Sequence, residues 1–600
     1  MLLFTRLKQH GPSIIGITAL LALSLNQVFH SFFNLTVWPP LKLGLFIITI
    51  AWVTLKLTEN QISGQDTSKK YPLHHWLPGV ALVLILAAGL LLRLYHLGYL
   101  GLSTDEGSTA LFSHAISISG LPCIDGECYL RGFPYLYLVS FFTGIFGSTE
   151  FWVRLPGLAI TATIIPLMYF ITKRLSNHSS ALIVVSLVAF TDWNMMLSRY
   201  ARMYNLLLLF ILISIALFSH YLKKQQWWIG FLLVISSGLA MVTHQFGLLL
   251  GFISLHLIVT KRPFTIKDGF LSGGIILAAV YVLTQVPGLT YETGFQSIYS
   301  IVPQRLQSDQ FWFLSNLQFP QFTYFKELFI YQAPLFSLLI GGTLARIAQL
   351  RNGGWKKIDP SINSFFYIFI VGIFLALAFY NINYSLKYLW WILTLILIPI
   401  GTIIFHLFRD KKIVAVGLTL IILAANIPGV ITVLGRDYGD IQTDRPLLMS
   451  SEAESYYPDD KTPVEYVITH MQPGDIIITD YFIHNVYLEL QIGAQSNYFV
   501  LPESPTRFLQ TYPYYGLYRD TNNWRLREHG SILIHTSTEL AQIINQADTT
   551  VWIITAVDFS GKQHKISNGG VTRYLRNNYT GSIVYTGFDD NSQVYAINPR

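Results

Sequence analysis

Two adjacent carboxylates, Asp105 and Glu106, stand in LRLYHLGYLGLSTDEGSTALFSHAI, just after one long apolar stretch and just before a Gly-punctuated, amphipathic one. An acidic pair held at a membrane surface beside a cavity can work as a general base or as a metal ligand. The same spacing also suits a helix start, with Ser103, Thr104 or Asp105 as the N-cap and the acids favourable to the dipole. Further along, Tyr129-Leu130-Arg131-Gly132-Phe133-Pro134 sets a guanidinium at the membrane surface. Arginine there suits bidentate phosphate recognition, or equally snorkelling among lipid headgroups. In TDWNMMLSRYARMY, Asp192, Arg199 and Arg202 fall at i, i+7 and i+10 and share one face if the segment is helical. They either bind something anionic or neutralise one another. Lys387, opening KYLWWILTLILIPIG, is a fourth cation or an interfacial anchor. His244 in MVTHQFG lies at the same level, where a lone histidine is more often a hydrogen-bonded structural residue. Tyr129 and Tyr204 complete the candidates.

Cys123 and Cys128 are the only cysteines, which excludes a disulfide scaffold and a four-cysteine zinc site. A local disulfide and two buried thiols are both open. Asp125 and Glu127 between them make a weak metal reading, because no matching His or Cys pair lies nearby. The sequons at Asn34, Asn177, Asn383 and Asn578 read as chance, since Asn177 falls on the inner side.

These residues need elements to position them, and composition says of what kind. Of 600 residues 52% are apolar and 12% charged, and mean hydropathy is +0.45, so most of the chain belongs in lipid and a cytosolic enzyme is excluded. The first 435 residues carry 28 Lys+Arg against 14 Asp+Glu, the remainder 12 against 19. The positive charge therefore sits in membrane loops, and no basic run interleaved with aromatics points to nucleic acid. Apolar stretches recur at about 12–30, 38–57, 77–96, 150–171, 179–192, 202–222, 228–245, 247–259, 268–287, 328–346, 363–380, 387–408 and 412–434, which predicts about thirteen transmembrane helices. With the N-terminus inside, alternate loops collect 19 of the 28 basic residues, and nine of the 14 acids fall outside. That alternation holds only if 133–147 lies along the outer surface as a juxtamembrane helix. The first helix reads as an uncleaved anchor, since no small-residue cleavage site follows it.

After residue 435 hydropathy falls. DIIITD, NYFVL, TVWIITAV and GSIVYTGF read as strands, with helices around 462–471, 481–492 and 537–546, so a small extracytoplasmic α/β domain is expected over 435–600. It follows a transmembrane catalytic domain over 77–434, whose first outer loop is 97–149, and two N-terminal helices within 1–76.

The order LRLYHLGYLGLSTDEG, GLPCIDGECYLRGFPYLYLVSFFTGIFGSTEFWVRLPGL, MMLSRYARMY, THQFG, KYLWW resembles the bacterial branch of the protein O-mannosyltransferase and aminoarabinose transferase superfamily over roughly residues 77–435. The resemblance implies a polytopic GT-C fold glycosyltransferase of the plasma membrane that uses polyprenyl-phosphate sugars. Residue by residue, it implies Asp105 and Glu106 as the acidic pair, with the aspartate as catalytic base, and Asp192 as the second acidic position. Arg131, Arg199, Arg202 and Lys387 would then hold the donor phosphate. The implied partners are a polyprenyl-phosphate-linked sugar, an acceptor lipid, glycan or protein, and membrane lipids; no cofactor is certain and a divalent metal stays open. The sequence departs from the family in its two leading helices, in Gly132-Phe133 where many relatives have further prolines, and in lacking a β-trefoil domain.

An inverting transfer follows. Asp105 would take the proton of an acceptor hydroxyl or amine while fixed cations stabilise the leaving polyprenyl phosphate, so no general acid is required. A lipid or sugar transporter or flippase would instead show polar groups along both halves of a path and interrupted helices in two related halves. A noncatalytic receptor would leave the one-sided cluster of acids and arginines without a purpose.

Overall fold

The computed structural model describes residues 2–33, 39–62, 76–124, 127–129, 132–260, 264–285, 323–352, 362–379, 387–409, 411–435, 459–494, 496–500, 517–519, 524–526, 531–556, 569–587 and 592–599. Arg131, Asp125 and the sequons at Asn34 and Asn383 lie outside the described residues, and Lys387 is described as backbone only.

A helix stands at every apolar stretch. In chain order they are α1 (Leu2–Phe33), α2 (Pro39–Ile62), α3 (Leu77–Leu94), α4 (Thr104–Ser119), α5 (Phe133–Phe146), α6 (Glu150–Leu175), α7 (His178–Phe190) and α8 (Asp192–Arg199). Then follow α9 (Tyr204–Lys224), α10 (Trp227–Thr243), α11 (Phe252–Val259, after a 3-10 turn), α12 (Ile266–Gln285), α13 (Thr323–Asn352), α14 (Ile362–Phe379), α15 (Lys387–Leu407) and α16 (Lys412–Leu434). Among the described residues five helices are long and apolar enough to cross a membrane, and six if α7 and α8, bent by 62°, form one broken span. Their outward faces expose bare hydrocarbon, as at Val83, Leu84 and Leu91 on α3 and Val416, Leu420 and Ile431 on α16. Such faces suit lipid and not water. The 14 residues of α5 are too few to span. The two leading helices pack on each other and against α13 and α16.

Between α3 and α6 the chain makes a short hairpin of β1 (Cys123–Ile124) and β2 (Glu127–Cys128), with Cys123 opposite Cys128. Cys123 is disulfide-bonded, and Cys128 is the chain's only other cysteine. Asn177 of the second sequon is the N-cap of α7, accepting from the Ser180 N–H at 3.0 Å.

The last quarter of the chain holds a mixed sheet. Its strands are β3 (Ile476–Thr479), β4 (Tyr498–Val500), β5 (Leu517–Arg519), β6 (Trp524–Leu526), β7 (Ile532–Ile534), β8 (Val551–Ala556), β9 (Ile583–Thr586) and β10 (Ser592–Ile597), in the order β5-β6-β7-β4-β3-β8-β10-β9. The central pairs β7-β4, β4-β3 and β3-β8 are parallel and the flanking pairs antiparallel. Alternation sets two faces. Ile478, Ile553 and Tyr595 pack with Leu540 of α19 (Ser537–Gln546) and Leu575 of α20 (Gly569–Tyr579). On the other face Ile477, Trp552, Ile554 and Val594 join one core with Val464 and Val467 of α17 (Lys461–His470) and with Ile483 and Val486 of α18 (Phe482–Ile492). That core is continuous with the membrane helices, so α17 and α18 are the layer between sheet and bundle. The strands β5, β6, β7 and β10 and the helix α20 had no counterpart in the expected elements. Three-residue strands such as Trp524-Arg525-Leu526 are too short to show a period.

Candidate active site

The site is built on the first turn of α4. Glu106 is fully buried and its carboxylate is surrounded by donors. Arg154 of α6 grips it in a two-point fork, Nε to Oε1 and Nη2 to Oε2, each at 2.8 Å. The Ala201 N–H reaches Oε1 at 3.0 Å, and the Ser103 N–H reaches Oε2 at 3.1 Å, the return half of a capping box. Burial by itself would raise the Glu106 pKa; the Arg154 guanidinium and these amides outweigh it and hold the group below the usual carboxylate range. Arg154 spends its remaining N–H groups on the carbonyls of Leu97, Leu100 and Gly101 at 2.7–3.1 Å, which folds the segment between α3 and α4 around one guanidinium.

Asp105, one residue earlier, is placed differently. Its side chain is 26% exposed. Oδ2 accepts from the Tyr200 hydroxyl at 3.0 Å, and Oδ1 lies 3.7 Å from Nη2 of Arg202. Arg202 is buried; Nη1 donates to the Asp105 carbonyl at 3.1 Å and to the Tyr129 hydroxyl at 3.0 Å, while its Nε has no partner among the described atoms. Tyr129 stacks on Phe112 of α4, with centroids 5.0 Å apart, and its N–H closes the cysteine hairpin on the Pro122 carbonyl at 2.8 Å.

Arg199 and Arg202 diverge. α8 ends at Arg199 and Tyr200 is extended, so the expected common face of Asp192, Arg199 and Arg202 does not form. Arg199 donates to the carbonyls of Arg93, Tyr95 and His96 at the end of α3. Asp192, at the other end of α8, is buried; Oδ1 accepts its neighbour Trp193 N–H at 2.7 Å, and Oδ2 lies against Gly429 of α16, where a Cβ would stand 2.4 Å away. Only a glycine admits the carboxylate there.

α15 is docked to the same place. Thr394 donates to the Asn194 side chain, and the Trp390 ring meets Tyr200 edge to face at 5.8 Å. This brings the start of α15, and with it the Lys387 backbone, within about one helical turn of the residue whose ring meets Tyr200. His244 is buried; its Nδ1 takes the Phe246 N–H at 3.2 Å, and its ring lies 5.5 Å from that of Tyr204, also buried. His244 thus caps the turn before α11. Among the described residues no three His, Cys, Asp or Glu side chains gather as metal ligands.

The structure therefore brings together Asp105, Arg202 and Tyr129, and adds Tyr200 and Arg154, which sequence reasoning missed. Arg154 had a signal: it is a charge inside an apolar stretch, as is Arg93. Tyr200, an uncharged residue between two arginines, had none.

Residues 131–287 match the family model described as dolichyl-phosphate-mannose-protein mannosyltransferase. No curated protein sequence matches the chain. Among solved structures, ArnT from Cupriavidus metallidurans in the apo state superposes with a TM-score of 0.56 at 11% identity, covering 86% of this chain and 97% of that one. The same protein bound to undecaprenyl phosphate gives 0.56 at 10% identity with the same coverage. At such identity the likeness establishes the fold, and the fold is that of the GT-C glycosyltransferases, as the sequence resemblance implied.

Proposed function

We propose that this protein is a membrane glycosyltransferase that moves a sugar from a polyprenyl-phosphate donor to an extracytoplasmic acceptor hydroxyl or amine, with inversion. The observation that carries this is the unequal fate of two neighbouring carboxylates. Glu106 is buried and enclosed by Arg154 and two amides, whereas Asp105 is partly open, oriented by Tyr200 and faced by Arg202 at 3.7 Å. Of the pair, Asp105 is the one placed to receive a proton.

In this mechanism Arg202 and Tyr129, with Arg131 and Lys387, hold the donor phosphate; the Nε of buried Arg202, which has no partner among the described atoms, supports that assignment. The acceptor passes its proton to Asp105 as it attacks the anomeric carbon. The bond from that carbon to the phosphate oxygen breaks, and polyprenyl phosphate leaves as an anion already facing fixed cations. Glu106 and Arg154 are positioning residues that fix the turn carrying Asp105, and Arg199 is assigned to holding α3 and not to the phosphate. The site faces outward, because the inner loops carry the excess of lysine and arginine.

The test is turnover of purified protein in nanodiscs with a panel of polyprenyl-phosphate sugars and cell-envelope extract, followed by mass spectrometry of freed polyprenyl phosphate. Asp105→Asn is expected to abolish release while leaving donor affinity within about threefold. Retained turnover would remove Asp105 from the base role.

A further inference from the structure

The first turn of α4 is held from two sides. The membrane helices hold Asp105 and Glu106, through Tyr200, Arg202 and Arg154. The residues on either side are held from the sheet-bearing C-terminal part. The Tyr487 hydroxyl accepts from the Leu102 N–H at 2.8 Å and donates to Oε1 of Glu150 on α6 at 3.1 Å. Glu150 is paired with Lys461 of α17 at 3.0 Å. The Tyr481 hydroxyl lies 2.9 Å from Oγ1 of Thr104. A Cβ on Gly107 would stand 2.6 Å from Cδ1 of Ile483, so the glycine lets α18 pack close against α4 there. Leu102, Glu150 and Tyr487 are all buried.

We infer that Tyr487 is a positioning residue for the transfer reaction: through its single hydroxyl, oriented by Glu150, it fixes the backbone at Leu102 and so the direction in which Asp105 is presented. The inference rests on the function proposed above. A phenol hydroxyl has one proton and here it goes to the Glu150 carboxylate, which leaves the oxygen lone pairs for Leu102. The pairing of Glu150 with Lys461 ties the same oxygen to the C-terminal part. Asp105 sits three residues along, in the first helical turn, where a small rotation of the entering backbone re-aims its carboxylate. Displacements of about 1 Å at a reacting group cost up to about a hundredfold in rate.

The test uses the full chain in nanodiscs, with Tyr487→Phe, Glu150→Gln and the double variant. Hydrogen exchange is followed over residues 98–110, alongside kcat, acceptor KM and affinity for bare polyprenyl phosphate. Tyr487→Phe is expected to speed exchange at Leu102 and in the first turn of α4, and to lower kcat about tenfold or more with acceptor KM and lipid affinity within about twofold. Glu150→Gln should act in the same direction and the double variant should be no worse than the more impaired single one, since both act through one bond. Unchanged exchange at Leu102, unchanged kcat, or a loss carried by KM alone would overturn the inference. Failure of the underlying function looks different: the wild type would then release no polyprenyl phosphate from any donor, and the inference would fall with it whatever the exchange shows.

Discussion

Arg199 donates to the main-chain carbonyl of Arg93 at 3.1 Å, and Arg93 in turn caps the helix that leads into Arg199's own. The Arg93 guanidinium, fully buried on α3, reaches the carbonyls of Val188 and Ala189 at 2.9 and 2.7 Å, where α7 breaks before α8. A helix end in lipid leaves carbonyls that water cannot satisfy, so a broken span needs such a donor. Two arginines thus cross-brace α3 and the α7–α8 bend, and the bend aims Tyr200 and Arg202 at Asp105.

Replacing Arg199 should therefore act through position. Arg199→Lys keeps the charge but cannot reproduce the fork onto three carbonyls. It is expected to cost about 1–3 kcal/mol of thermal stability in nanodiscs and to lower kcat, with affinity for polyprenyl phosphate retained. A loss of lipid affinity with stability intact would place Arg199 on the donor instead.

Glu106 and Arg154 form a buried pair in which each single loss strands the other. Glu106→Gln should destabilise by about 3–5 kcal/mol, and Arg154→Met added to it should cost less than Arg154→Met alone, the remaining cost being the carbonyls of Leu97, Leu100 and Gly101 left without their donor; denaturation midpoints in a double-mutant cycle read both. The pH dependence has a definite sign. Because the folded protein holds Glu106 below the ordinary carboxylate value, its contribution is fully present above that ordinary value and is lost as pH falls through the depressed one. Wild type should lose stability on acidification below the usual carboxylate range, and Glu106→Gln should show a flatter profile there. Parallel profiles would take Glu106 out of this role.

In the proposed mechanism Arg202 serves both base and donor. Arg202→Gln is expected to weaken binding of polyprenyl phosphate by about tenfold or more and to lower kcat/KM further, whereas Tyr129→Phe should weaken binding by less. The measurement is lipid binding by tryptophan fluorescence beside turnover. Normal lipid affinity in Arg202→Gln would move the phosphate elsewhere, with Arg131→Gln and Lys387→Gln the next variants to compare.

Much of this protein was already legible as a sequence, for physical reasons that hold locally. A run of about 20 apolar residues has few stable alternatives to a helix in lipid, so the positions of the membrane helices follow from hydropathy alone. The strands around Ile476–Thr479 and Val551–Ala556 announce themselves as short apolar runs bounded by turn residues. Charges near the ends of such helices are costly enough to pick out Asp105, Glu106, Asp192, Arg199 and Arg202 as a group. What each member of that group does was not legible. Asp105 and Glu106 are chemically near-equivalent neighbours, and only the arrival of Arg154, 48 residues on, encloses one and leaves the other open. Arg199 and Arg202 separate because α8 stops between them, and α8 stops where α3 and α4 supply other partners for the chain. The hold of Tyr487 on Leu102, across 385 residues, has no local trace at all. Spacing along the chain set which charged groups lie near helix ends; the tertiary contacts decided which carboxylate is enclosed and which stays partly open, since that depends on donors brought from distant helices.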